Sequence, residues 1–143
     1  MIEKILVPLP AESAQNGSEA IVMAAELAKA HNAKIILLHV VEAMPAYVSA
    51  HFPADVQKTA AVAARDDMAA AAKAHGIDDN ADIVVREGNP AADILDFAND
   101  TGVDMIVMSS HDPGIADYLL GSVAARVVRH AHCSVLVVRP RKA

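Results

Sequence analysis

The sequence predicts an α/β fold, a five-stranded parallel sheet with four helices packed on both of its faces, and three observations carry that expectation. Strand-length runs in the chain are apolar throughout instead of alternating, the pattern of strands buried on both sides. The stretches between them repeat apolar residues with the helical period, so each can lay one face on a sheet. The 143 residues contain neither an internal repeat nor a linker, so residues 1–143 read as one domain, large enough for a proper core. Strands joined through helices imply right-handed crossovers, and ligands in such sheets bind beyond the carboxyl ends of the strands.

Taken in order, "KILVPL" (4–9) is the first strand and "AKIILLHVV" (33–41) the second. The helix between them, Ser18 to His31, places Ile21, Ala24, Ala25 and Ala28 at i, i+3, i+4 and i+7, with Glu19, Glu26 and Lys29 away from that stripe. "AMPAYVSAHFPAD" (43–55) holds two prolines and has no period, which predicts a loop or lid. An alanine-rich helix over about 54–75 gathers Ala61, Ala64, Met68, Ala71 and Ala72 on one side and ends at Gly76. "ADIVVRE" (81–87) is the third strand. Asn89 then caps a helix that has Pro90 in its first position and buries Ala91, Ile94, Leu95 and Ala98. "VDMIVMS" (103–109) is the fourth strand, the helix from Ser122 buries Ala124, Val127, Val128 and Ala131, and "CSVLVVRP" (133–140) closes the sheet.

Composition narrows the function classes. A formal net charge of −6 argues against a nucleic-acid partner, since binders of the phosphate backbone gather a basic surplus on one face. With no Trp, two Tyr and two Phe, the core is aliphatic and platforms for base stacking are scarce. No apolar run approaches the roughly 20 residues of a membrane span. The start, "MIEKILVPLP", lacks a basic segment followed by an apolar one, so export is not expected. Cys133 is the one cysteine, which excludes an internal disulfide and suits a reducing, cytoplasmic setting.

Most candidate chemistry has a bland explanation. Neither G-x-G-x-x-G nor G-x-x-x-x-G-K-[ST] occurs, and a nucleophile elbow is absent. His130, His132 and Cys133 lack a second pair to complete a tetrahedral metal site. His39 lies in an apolar strand and reads as a hydrogen-bonded core histidine. "HDPG" (111–114) fits a tight turn. Ser122 is a good helix cap without any ligand. The functional alternative at that point is anion binding: the start of a helix offers unpaired N–H groups, and Gly121 lets a phosphate approach. Ser122, Arg126 and Arg129 share a helix face, although the arginines lie one and two turns from the anion end.

Three segments together, "ILVPL", "EGNPAADIL...DMIVMSSH" and "LLGSVAARVVRHAHCSVLVVRP", resemble the universal stress protein (UspA) family over nearly the whole chain. The resemblance implies a Rossmann-like sheet in strand order 3-2-1-4-5 and, for many members, binding of ATP or another adenine nucleotide through G-x-x-G, nine residues, then G-[ST]. Here Ser109 and Asp112 stand at the two loop glycines, eight residues separate Asp112 from Gly121, and Pro10 stands where members often have an aspartate. The "SSHDPGIADYLLGS" form is similar to a short F-type subclass whose loop replaces the glycines. By resemblance, Pro8, Leu9, Pro10, Val40, Met108, Ser109, Ser110, His111, Gly121, Ser122 and Val123 line the nucleotide pocket, with Val40 and Met108 flanking the base. An Asp112 carboxylate about 4 Å from a phosphate charge would cost roughly 4 kcal/mol at an effective dielectric of 20, so it points away or a cation such as Mg2+ intervenes.

The resulting expectation is a cytoplasmic, homodimeric module that binds ATP or ADP, joined through its last strand, with no membrane span and no nucleic-acid partner. No set of nucleophile, base and metal has the mutual spacing that efficient catalysis needs. Two alternatives stay open: an interaction protein without a nucleotide, favoured by Pro10, Ser109 and Asp112, and a slow ATP or ADP hydrolase in which His111 positions water.

Overall fold

The computed structural model describes residues 1–10, 18–110 and 120–139. Its elements are β1 (Lys4–Pro8), α1 (Ser18–His31), β2 (Lys34–Glu42), α2 (Ala46–Ser49), α3 (Val56–Ala74), β3 (Ala81–Gly88), α4 (Pro90–Thr101), β4 (Met105–Ser109), α5 (Ser122–His130) and β5 (Ser134–Val138). The strands form one sheet in the order β3-β2-β1-β4-β5, and each neighbouring pair is parallel. The expected fold class and strand order are therefore observed.

Alternation along the strands divides the interior into two cores. Ile5, Val7, Ile35 and Leu37 face α1 and α3, where they meet Ile21, Ala24, Met68 and Ala71. Leu6, Ile36, Leu38 and Ile106 face α4 and α5, meeting Ile94, Phe97, Ala124 and Val127. The alanines of α1 and α3 let those helices lie close to the sheet, and Met68 is the large side chain on the buried face of α3. α4 begins as its sequence requires: Asn89 Oδ1 accepts the Ala92 N–H at 3.0 Å, and Pro90 occupies the first turn. α3 stops where Gly76 takes φ +70, a left-handed conformation that glycine adopts without strain.

Two expectations need correction. Four helices are predicted, whereas the described residues form five, because a single turn, α2, lies within 43–55. Pro45 starts it at φ −57, and the Pro45 carbonyl accepts the N–H groups of Val48 and Ser49. Four residues are too few to register as a helical period, and none of them is buried. Val128 is also not core. It is 46% exposed, because α5 turns Ala124 and Val127 to the sheet and leaves Val128 outside.

β1 and β4 are locked together at their amino ends. The Asp104 carboxylate accepts the N–H groups of Glu3 (2.8 Å) and Lys4 (2.9 Å), while Asp104 N–H donates to the Lys4 carbonyl (3.0 Å). The two backbone donors hold the Asp104 carboxyl below its ordinary value. No helix among the described residues is long and apolar enough to cross a membrane.

Candidate functional site

β1 and β4 are neighbours at the middle of the sheet, yet the chain leaves them toward opposite faces, through α1 and α5. In open parallel sheets, ligands bind in the crevice beyond the carboxyl ends of the strands at such a switch. Three predicted residues, Pro8, Val40 and Met108, follow Leu6, Leu38 and Ile106 by two positions on β1, β2 and β4, so alternation puts them on the α4–α5 side. All three are buried, and they give the crevice an apolar wall.

Leu9 is buried on the opposite side, and Pro10 beyond it is exposed. The exit from β1 is held at both polar groups of Leu9. Its N–H donates to the Leu38 carbonyl at 2.8 Å, and its carbonyl accepts a hydrogen bond from His39 Nδ1–H, also at 2.8 Å. His39 is thus the hydrogen-bonded histidine that its strand setting implies, but its partner, a backbone group at the rim of the crevice, was not readable from the chain.

At the other rim, Ser109 is half-buried and Ser110 fully buried. Ser110 N–H donates to the Val138 carbonyl (3.0 Å), and the Ser110 carbonyl accepts Gly121 N–H (2.9 Å). One residue therefore ties the start of α5 to the ends of β4 and β5. The cap of α5 is Gly121, with Ser122 the first helical residue, because the Gly121–Ser110 bond sets the entry of the chain into the helix. That corrects the reading of Ser122 as a helix cap. Ser122 is exposed, and its hydroxyl stands at the helix start. The first bond within α5 runs from Ala125 N–H to the Gly121 carbonyl at 2.9 Å, so the N–H groups of Ser122, Val123 and Ala124 have no acceptor within the helix.

Among the predicted residues, Pro8, Leu9, Val40, Met108, Ser109, Ser110, Gly121, Ser122 and Val123 thus lie at one edge of the sheet, with Pro10 beside them. His111 lies outside the described residues, as do Asp112, Pro113 and Gly114. His130 and His132 are exposed, and burial pushes the half-buried Cys133 thiol up, away from the reactive thiolate. Among the described residues, no three His, Cys, Asp or Glu side chains gather as a metal site would need. An unforeseen contact lies nearby: Arg86 of β3 covers the Phe97 ring at 5.0 Å, and Phe97 is core that the alanine-based stripe of α4 concealed.

Fold and site together define an α/β protein whose open strand ends face the start of a helix across a switch point. Its sequence matches the universal stress protein family model over residues 1–139. A universal stress protein of Methanocaldococcus jannaschii is 31% identical over 142 residues, covering 95% of this chain and 82% of its own. The solved universal stress protein of Lactobacillus plantarum has a TM-score of 0.81 at 25% identity, covering 96% of this chain and 98% of that one. A universal stress protein solved in complex with cAMP shares the fold at TM-score 0.73 and 24% identity, covering 98% of this chain and 99% of that one. This chain belongs to the universal stress protein family.

Proposed function

We propose that this protein is an adenine-nucleotide-binding module, with ATP or ADP as its ligand, that acts through conformation or partner binding. The observation that carries the reading is the convergence at one end of the sheet of an apolar wall, Pro8, Val40 and Met108, with the start of α5, whose first three N–H groups have no acceptor within the helix. A flat, apolar base suits the first, and phosphate oxygens suit the second. A family relative in complex with cAMP supports the same ligand class. The Ser122 hydroxyl adds a donor at the phosphate end, with Ser109 and Ser110 beside it; the family resemblance adds His111 to that set. If Asp112 faces the phosphates, Mg2+ would offset its charge.

The second reading, an interaction module without a nucleotide, is favoured by exposed Pro10 and by Ser109 in place of a loop glycine. No hydrolytic activity is proposed. A homodimer joined through β5, in a reducing cytoplasm, completes the proposal. Titration calorimetry with ATP, ADP and AMP, with and without Mg2+, tests it. Micromolar binding of any of them supports the module, and binding no tighter than millimolar for all three leaves the ligand-free reading in its place.

A further inference from the structure

The carboxyl ends of β2 and β3 carry a strap that is closed at its base. Residues 43–56 leave β2 after Glu42, form α2 and return at the start of α3. Both feet are tied to the strand ends. Ala43 N–H donates to the Gly88 carbonyl at 3.0 Å, and Gln57 Nε2 donates to the Glu42 carbonyl at 2.7 Å while reaching Glu87 Oε1 at 3.5 Å. Between the feet the strap bonds to itself. The Pro45 carbonyl accepts Val48 and Ser49 N–H at 2.9 Å, the Ala46 carbonyl accepts Ala50 N–H at 3.2 Å, and Phe52 N–H donates to the Ser49 carbonyl at 3.2 Å. None of the strap's residues is buried against the body of the protein. A surface segment with joined ends, its own hydrogen bonds and no packed side moves as a unit at low free-energy cost.

That construction leaves apolar surface unused. Tyr47 and Phe52, half of the chain's aromatic side chains, are 76% and 50% exposed on the strap. The crevice has the complementary need: Pro8, Val40 and Met108 cover one face of a planar ligand, and its other face calls for a second apolar cover. From this pairing we infer that the strap is a flap latched by Gln57, and that it closes over the crevice and lays the Tyr47 ring on the open face of a bound base. The inference rests on the nucleotide reading for its ligand and on the hydrogen bonds alone for its latch. Tyr47 makes the contact because it stands on α2, five residues beyond Glu42, while Val40 of the apolar wall lies two residues before Glu42 on the same strand. Phe52 is farther along the strap, toward its α3 foot. A phenol suits the place, since its ring covers apolar surface and its hydroxyl stays at the wet rim.

The test separates the flap from the ligand. Tyr118→Phe leaves Tyr47 as the one tyrosine in a chain without Trp, so its emission reports on the strap directly. Titrating that variant with AMP should quench the emission and shield the ring from collisional quenching by acrylamide. In calorimetry Tyr47→Ala should weaken AMP binding by about tenfold, the scale of one lost aromatic stack, and Tyr47→Phe should bind as wild type does. Without ligand, amide hydrogen exchange at Val48, Ser49 and Ala50 should be faster in Gln57→Ala than in wild type, with β1 unchanged. AMP binding that leaves Tyr47 emission and its access to acrylamide unaltered, or a Tyr47→Ala protein that binds AMP as tightly as wild type, overturns the closure and leaves the nucleotide reading in place. If AMP, ADP and ATP all fail to bind wild type, the nucleotide reading falls and the stacking role of Tyr47 falls with it. The latch is then decided by exchange alone: faster exchange in Gln57→Ala upholds it, and unchanged exchange overturns it.

Discussion

Gly121 and Ser122 stand side by side, and the structure gives them different tasks. Gly121 adopts φ −62 and ψ 158, a backbone open to any residue, so its value at the helix start is not conformational. What glycine offers there is the absence of a side chain beside the first N–H groups of α5, which have no acceptor within the helix. Gly121→Val should therefore preserve the fold, checked by an unchanged circular dichroism spectrum, while abolishing nucleotide binding in calorimetry. Ser122→Ala removes one hydroxyl donor and should weaken ATP binding by about 1.5–3 kcal/mol, the range for a hydrogen bond to a charged group. An unchanged Kd for Ser122→Ala would place the phosphates away from this helix. Gly-Ser was legible in the sequence as an anion-binding start, yet the assignment of cap and first residue was not, because it depends on the Ser110 carbonyl, well before Gly121 along the chain and fixed only once β4 and β5 are paired. His39 shows the same limit: an apolar strand around a histidine announces a hydrogen bond but not its partner.

At the level of elements, periodicity revealed the long helices and continuous apolar runs revealed the strands, because each pattern reports burial directly. α2 escaped for want of burial. From Glu42 to Ala63 no residue is buried, and Tyr47 and Phe52 are 76% and 50% exposed. Segments with so little packing open at low free-energy cost, so amide exchange over 47–55 should be much faster than in β1 and β4; equal protection in both would refute a mobile cover for the crevice. α3 makes the opposite case. Its buried face is alanine apart from Met68, so Met68→Ala should cost about 2–5 kcal/mol in urea denaturation, the range for truncating a large buried side chain. The Asp104 clamp between β1 and β4 supplies a pH signature. Its carboxyl is held below the ordinary 3.8 by the Glu3 and Lys4 N–H groups. A lowered folded value means that the clamp contributes fully above pH 3.8 and is lost as pH falls from there through the folded value. Asp104→Asn should flatten the dependence of Tm on pH in that acid window, and identical acid limbs for variant and wild type would deny the clamp its role.

For the molecule as a whole, the two edges of the sheet differ in a way that bears on assembly. β3 exposes Asp82, Arg86 and Glu87, charges that discourage another strand from pairing there. β5, "SVLVV", carries no charge along its length, and its four apolar residues are only half-buried. Val128 of α5, the helix preceding β5, adds exposed apolar surface. An edge of this kind is a liability unless another chain covers it, and a second copy of β5 is the simplest cover in a closed dimer. The ladder also shows how to test this without damaging the monomer. Ser110 N–H donates to the Val138 carbonyl, so Val138 faces β4, and its neighbour Val137 turns its N–H outward to the open edge. Val137→Pro removes that outward donor and spares the bonds to β4, a placement that proline tolerates on an edge strand. Sedimentation at micromolar concentration should show wild type as a dimer and Val137→Pro shifted toward monomer, with thermal unfolding reporting whether the fold persists. Monomeric wild type, or a folded Val137→Pro that dimerises as well as wild type, would remove β5 from the interface.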